Sequence, residues 1–551
     1  MSTPAGRRLL AEEMPAAVYW ALAAAIVAAS VAYASALLLH APQLEPDDFR
    51  FVAGALGLRP DDELAYGVVD NRWDELPFVD VDGGLRFWRP LLPASFWFDA
   101  AVTGGFEHAS VTPQARFGAI LRTNIALHAA CCLLTFAVCA RTCGRTAAAL
   151  LGGAFFACFA PHAEAIWYGA GRNATLLTLT FTGAVLLHPT PSAGAPAGRA
   201  RRALAPIAVG AALLAKETAV VLLPLLWIQD RLTTAGARRH DRAVWTAYGA
   251  VALLWFVSRV FALGGVTSGQ LVEPYVHLPW VASFWPHVGA AVVGGLEAIS
   301  LGSPLWPFLS IDELALAGRQ PLLGAALGAA ALALVAAVAW PLARGRLLLA
   351  FAFLAWLPTL PVYVSERYLY LPSVPLAALL GLAVFRAASR RALGGVLSWG
   401  LAAVVVVAAG HHLRVLHGKH GYASSLRTSW GISAALQRVA RDVPRGATLI
   451  AVDLPGDVLH AQFFEDQLRV TCDDPDLRVR VLSLLPEAAA ERRGGARLAV
   501  SRSGDEVVLR GVERPVLARS SERIFPIVRL TPGDVHATAD GSVRMTVVVG
   551  D

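Results

Sequence analysis

Residues 203–230 read ALAPIAVGAALLAKETAVVLLPLLWIQD, an almost wholly apolar run with Lys216 and Glu217 at its middle. Arginines bound it on both sides: Arg199, Arg201 and Arg202 before it and Arg231 after it. Short cytoplasmic loops of membrane proteins retain Lys and Arg, so a run with arginines at both ends has to cross and come back. The reading is therefore two short helices that meet near the outer surface at Lys216-Glu217.

The whole composition agrees with a membrane protein. Of 551 residues, 56% are hydrophobic and only 16% charged, where soluble domains carry about a quarter charged. The mean hydropathy is +0.53. The excess of 47 Lys plus Arg over 41 Asp plus Glu is no sign of nucleic acid, because the arginines lie between apolar runs. Five of the six cysteines, Cys131, Cys132, Cys139, Cys143 and Cys158, fall in or beside apolar segments, and Cys472 stands alone. Neither a disulfide framework nor a zinc spacing follows.

Crossing roughly 30 Å of hydrocarbon takes about 20 apolar residues. Such runs occur at about 16–40, 117–140, 147–162, 174–188, 243–263, 322–342, 347–363, 368–388 and 393–411. The first is preceded by Arg7 and Arg8 and has no small-residue cleavage site, so it reads as a retained anchor. The arginine clusters at 7/8, 141/145, 199–202, 231–242, 344/346 and 386–391 fall on the cytoplasmic side. Alternation then puts 41–116, 161–173, 263–321, 364–367 and everything after about 411 outside. The run 281–301 has outer stretches on both sides, so it lies along the interface or dips back.

The expected fold class is a polytopic α-helical membrane protein of about eleven crossings, with a small C-terminal soluble α+β domain. The membrane domain covers 1–424, including the outer loop 41–116, and the outer domain covers 425–551. The loop through residue 115 carries thirteen acids against five bases, as suits an outer position. The outer domain reads as an amphipathic helix near 430–441 and strands at 447–452, 478–485, 497–501, 506–510 and 543–549, with a hairpin turn at Ser503-Gly504. It carries no catalytic signature.

Ionisable residues in or beside a membrane are costly and count as functional candidates. Asp47-Asp48 follows the first crossing directly, where partial desolvation moves a carboxylate toward the basicity of a general base. Arg89, in Phe87-Trp88-Arg89-Pro90-Leu91, leads into an aromatic-rich interfacial stretch; it holds a lipid phosphate or Asp48, or simply snorkels. His162 and Glu164 open the second outer loop and Arg172 ends it, with Glu164–Arg172 open as a structural ion pair. Lys216 suits a phosphate anion at a helix break, or pairs with Glu217 to close it. Glu366, Arg367 and Tyr368 begin another crossing from outside. Carboxylates alone at these ends point to cation coupling. Beside cations they point to an anionic lipid and a hydroxyl that must lose its proton.

In order and sidedness these motifs resemble the C-type superfamily of integral-membrane glycosyltransferases, closest to the protein O-mannosyltransferase branch. The motifs are Asp47-Asp48, Trp88-Arg89-Pro90-Leu91, Pro161-His162-Ala163-Glu164-Ala165 with Gly171-Arg172, Lys216-Glu217, and Glu366-Arg367-Tyr368-Leu369-Tyr370-Leu371-Pro372-Ser373. The resemblance implies that Asp47 or Asp48 is the catalytic base and that Glu164 arranges the acceptor or base. It further implies that Arg89, Lys216 and Arg367 contact the phosphate of a lipid-linked donor. His162, Arg172, Glu217, Glu366 and Tyr368 complete the expected substrate-binding set. The tetratricopeptide repeats of that branch are absent, and residues 425–551 stand in their place.

The functional expectation is transfer of a sugar from a polyprenyl-phosphate donor to a protein or glycolipid acceptor. No cofactor is expected and nucleic acid is not a partner; a divalent cation is left open. Scarce lysine beside abundant Arg, Ala and Gly suggests a high-GC bacterium, hence an inner membrane with the active site and C-terminal domain facing the periplasm. The alternatives are a transporter or flippase of a lipid-linked saccharide, which would show inverted repeats and mid-membrane charges, and a non-catalytic scaffold.

Overall fold

The computed structural model describes residues 12–38, 52, 69–70, 87–102, 113–159, 161–189, 198–233, 241–263, 279–282, 284–301, 321–362, 365–389 and 469, and six short strands between 448 and 546. Asp47 and Asp48, the run 393–411 and the amphipathic stretch 430–441 lie outside the described residues.

The chain is polytopic and helical. The helices are α1 (Ala16–Leu38), α2 (Leu91–Val102), α3 (Pro113–Cys143), α4 (Ala147–Ala157), α5 (His162–Trp167), α6 (Arg172–Leu187) and α7 (Arg199–Ala215). They continue with α8 (Leu222–Thr233), α9 (Arg242–Leu263), α10 (Phe284–Leu301), α11 (Pro321–Ala339), α12 (Ala343–Trp356) and α13 (Tyr370–Ser389). Among the described residues, five segments are long and apolar enough to span a membrane: 16–36, 118–143, 242–262, 322–339 and 367–388.

The apolar run 203–230 divides as its charges require. Helix α7 stops at Ala215, Lys216 is extended at φ −163° and ψ 140°, and a 3-10 turn over Glu217–Val221 leads into α8. The run 147–162 departs from the expected single crossing. It is an eleven-residue α4 that ends at Ala157 and is followed by the separate α5. At 1.5 Å per residue α4 rises only about 16 Å, roughly half the hydrocarbon thickness. Nothing in an unbroken apolar sequence marks that stop before Pro161.

The core is built around α13, which packs against α3, α4 and α12. Small residues set the α4–α13 distance. A β-carbon on Gly152 would stand 2.5 Å from the Ala377 carbonyl oxygen, and one on Gly381 would stand 2.9 Å from that of Ala148. Lipid supplies no hydrophobic drive between helices, so such close backbone approach is what gives dispersion contacts their strength. Polar side chains add to it: the Tyr19 hydroxyl donates to the Phe136 carbonyl at 2.9 Å, and Ser30 donates to that of Ala157 at 3.1 Å. At the α3–α4 turn Gly144 takes φ +74°, and a β-carbon there would run into the Glu13 carboxylate.

One end of the bundle is fastened by arginines. Arg141 donates to the Leu186 carbonyl at 3.0 Å, Arg344 to that of Thr142 at 3.0 Å, and Arg386 to that of Val338 at 2.9 Å. Each acceptor belongs to the last turn of a helix, where carbonyls lack intrahelical donors and the dipole favours cations. These arginines come from the clusters assigned to one side of the membrane by sequence. Helix α7 starts near that end and leads to Lys216, while α6 ends there and begins at Arg172, so both residues lie at the other end.

The remaining elements are strands. β1 (Val69–Asp70) pairs antiparallel with β2 (Phe87–Trp88), setting Val69 opposite Trp88. β3 (Thr448–Val452) runs parallel to β4 (Arg478–Leu482). β5 (Leu498–Ser503), β6 (Glu506–Gly511), β7 (Val535–Ala537) and β8 (Ser542–Thr546) form an antiparallel sheet in the order β5-β6-β8-β7. Ser503 is the last residue of β5 and faces Glu506, so the β5–β6 hairpin closes one position beyond the Ser503-Gly504 turn read from the sequence.

Gly152→Val forces a β-branched side chain into the Ala377 backbone. The expected cost is about 1–3 kcal/mol, seen as a lowered melting temperature of the purified protein; an unchanged one contradicts the close α4–α13 approach.

Candidate active site

The Lys216-Glu217 break supplies the first two charges. Both reach the same place as Arg89, which the chain delivers from β2: Trp88 packs against Leu214 of α7 and Trp255 and Ala262 of α9. Arg89 then grips Glu217 with both arms of its guanidinium, Nη2 to Oε1 at 2.7 Å and Nε to Oε2 at 2.9 Å. This fork-on-carboxylate geometry gives direction as well as strength. Arg89 is buried, and so is Lys216 at 5% exposure.

The two charges of the break respond differently. Both groups lie outside the five apolar spans. Burial, with the Arg89 charge behind it, pushes the Lys216 ammonium down to about 7. Burial alone would raise Glu217, but the Arg89 charge and hydrogen bonds outweigh it and hold the carboxyl at about 2. Lys216 therefore gives up its proton readily unless an anion arrives, while Glu217 stays ionised.

The third element is the turn before α13, a 3-10 helix over Glu366–Leu369. Glu164 of α5 organises it. Ser365 Oγ lies 2.8 Å from both oxygens of the Glu164 carboxylate, and the Arg367 backbone N–H donates to Oε2 at 3.1 Å. The Arg367 guanidinium stands 3.6 Å from Oε1 and lies 5.1 Å from the Tyr168 ring centre. Tyr368 faces the break from the same turn, with Lys216 Nζ 4.5 Å from its ring centre. A cation over an aromatic face is partly satisfied without an anion, and so remains available to one.

Of the residues singled out in the sequence, the structure brings together Arg89, Glu164, Lys216, Glu217, Arg367 and Tyr368. Glu366 lies in the same turn. Arg172 and His162 are engaged elsewhere. Arg172, fully buried, has Nη2 2.6 Å from Asp99 Oδ2, where the sequence offered Glu164 as its partner. It also donates to Asn124 Oδ1 at 2.7 Å, to Ser95 at 3.0 Å and to the Ile120 carbonyl at 2.9 Å, with the Phe96 ring 4.4 Å away. Asn124 in turn donates to the carbonyls of Ile166 and Tyr168. This network ties α2 and α3 to α5, which carries Glu164, and to the residues just after it. His162 Nε2 lies 2.7 Å from Ser373 Oγ, and its ring packs 4.3 Å from that of Tyr370 and 4.4 Å from that of Phe156. His128 Nδ1 sits 2.6 Å from the same tyrosine's oxygen.

Sequence reasoning passed over Ser365, Tyr168, Asp99 and Arg259. Arg259 lies near the end of α9 and is within Coulombic range of Glu217 and Arg89. Its signal was present: an arginine at the end of an apolar span where the topology provides no cluster of bases. Among the described residues, no three His, Cys, Asp or Glu side chains come together as a metal site.

No family model matches the chain, and no curated protein matches it. Among solved structures it is similar to the oligosaccharyltransferase of Archaeoglobus fulgidus, crystallised with an acceptor peptide containing the NVT sequon tethered by a disulfide. There the TM-score is 0.48 and the identity 11%, over 84% of this chain and 64% of that one. This chain thus spans about two-thirds of the oligosaccharyltransferase's length. It is also similar to ArnT from Cupriavidus metallidurans bound to undecaprenyl phosphate, with a TM-score of 0.44 and 12% identity over 88% of this chain and 96% of that one.

Removing one partner of a buried ion pair strands the other. Asp99→Ala is expected to cost about 3–5 kcal/mol, and Asp99→Leu with Arg172→Met to recover much of it, as read by thermal unfolding of the purified protein. Equal loss in the single and double variants contradicts the pairing.

Proposed function

We propose that the chain is a C-type membrane glycosyltransferase. It moves a sugar from a polyprenyl-phosphate donor to a hydroxyl-bearing protein or glycolipid acceptor on the periplasmic face of a bacterial inner membrane. The observation that supports this most is the meeting of Arg89, Lys216 and Arg367 at one end of the bundle, from three separate segments, around only two described carboxylates. Cations gathered at helix ends beside a membrane suit a lipid phosphate.

In this reading Asp47 or Asp48 takes the proton from the acceptor hydroxyl. The acceptor oxygen attacks C1 of the sugar, the bond from C1 to the phosphate oxygen breaks, and the electron pair leaves with the phosphate. The arrival of the second negative charge is what the cations stabilise. Glu164 acts through Arg367, holding its backbone and guanidinium, and is a positioning residue. Glu217 does the same for Arg89. The strands after residue 448 belong to an outer domain spanning 425–551 that takes no part in the chemistry.

The test is transfer of labelled sugar from a panel of polyprenyl-phosphate sugars by membranes containing wild type, Asp47→Asn or Asp48→Asn at equal protein level. Loss of a general base typically costs 10²–10⁴-fold, so one substitution is expected to reduce transfer at least about a hundredfold and the other far less. Full transfer by both variants, or none by wild type from any donor, overturns the reading.

A further inference from the structure

Arg259 is the cation at this site that the resemblance did not supply. Its helix is brought against the site by Trp88, which packs on Trp255 and Ala262 on either side of it in sequence. Its Nη1 is buried and has no hydrogen-bond partner among the described residues. Burying a guanidinium N–H without an acceptor is costly, and that cost is tolerable where a ligand supplies the acceptor.

The charges around it are unequally matched. Among the described residues, Arg89 is paired with Glu217 at 2.7 Å and Arg367 lies 3.6 Å from Glu164. Lys216 meets the Tyr368 ring at 4.5 Å, and the Arg259 guanidinium lies 5.9 Å from the Trp255 ring centre. No described carboxylate comes within ion-pair distance of either. Two cations are thus left for a ligand.

We propose that Arg259, together with Lys216, binds the phosphate that leaves, and that this pair is matched to a phosphate monoester dianion rather than to the diester of the intact donor. The inference rests on the glycosyltransferase reading of the site. A sugar phosphodiester carries one negative charge. When the bond to C1 breaks, its electron pair stays on the phosphate oxygen and makes a monoester that is close to a dianion at neutral pH. Two uncompensated cations attract the second form more strongly than the first. Binding that strengthens as the bond breaks raises the rate of the chemical step.

The experiment uses the full chain in nanodiscs and two probes, undecaprenyl phosphate and its methyl ester, a diester with a single charge. Wild type is expected to bind the monoester about tenfold more tightly than the diester, the effect of one charge-assisted hydrogen bond. Arg259→Gln is expected to lose about that tenfold for the monoester and little for the diester, and Arg259→Lys to keep a preference for the monoester. Equal binding of the two probes by wild type overturns the inference and leaves the donor reading standing; this arm decides even where Arg259→Gln does not fold. An Arg259→Gln protein that binds the monoester as wild type does, or weakens for both probes alike, also overturns it. Wild type binding neither probe removes the donor reading itself.

Discussion

A carboxylate at a break between two apolar helices stays ionised only if a cation meets it, and Arg89 meets Glu217 with two hydrogen bonds at 2.7 and 2.9 Å. That contact joins residues 128 positions apart. It seats the segment before α2 against the α7–α8 break, and Trp88 follows by packing on α9. Because Arg89 uses its fork on Glu217, Lys216 keeps no carboxylate of its own at ion-pair distance and rests on Tyr368. The site owes its surplus positive charge to this division of partners.

A second buried network holds the opposite wall. Arg172 ties Asp99 of α2, Ser95 of α2, and Asn124 and Ile120 of α3 into one cluster. Asn124 passes that constraint to the carbonyls of Ile166 and Tyr168 at the end of α5, and α5 presents Glu164 to the turn at Ser365 and Arg367. The described charged groups therefore divide into those that close the scaffold and those gathered around the Lys216-Glu217 break.

The break at Lys216-Glu217 was legible because two charges cannot sit in the middle of an apolar crossing, and the arginines on both sides left a return as the only topology. The convergence of Arg89, Arg367 and Glu164 was legible only as shared sidedness; which acid each cation meets depends on packing between segments far apart in sequence. Glu164 and Arg172 are eight residues apart and looked like partners, yet one turns to the start of α13 and the other to α2. The short α4 was hidden because Ala, Gly and Phe suit a crossing and a half-crossing equally. Arg259 was absorbed into an apolar span. The strands at 448–452, 498–503 and 506–511 came through well, since alternating side chains and a Ser-Gly turn signal leave few other options.

The most direct measurement is an experimental structure of the full chain with undecaprenyl phosphate bound. The account predicts the phosphate at the α7–α8 break, within about 3 Å of Lys216 Nζ, with the Arg89–Glu217 pair intact beside it. A phosphate seated instead among Arg141, Arg344 and Arg386 at the other end of the bundle, with Lys216 still resting on Tyr368, would contradict it.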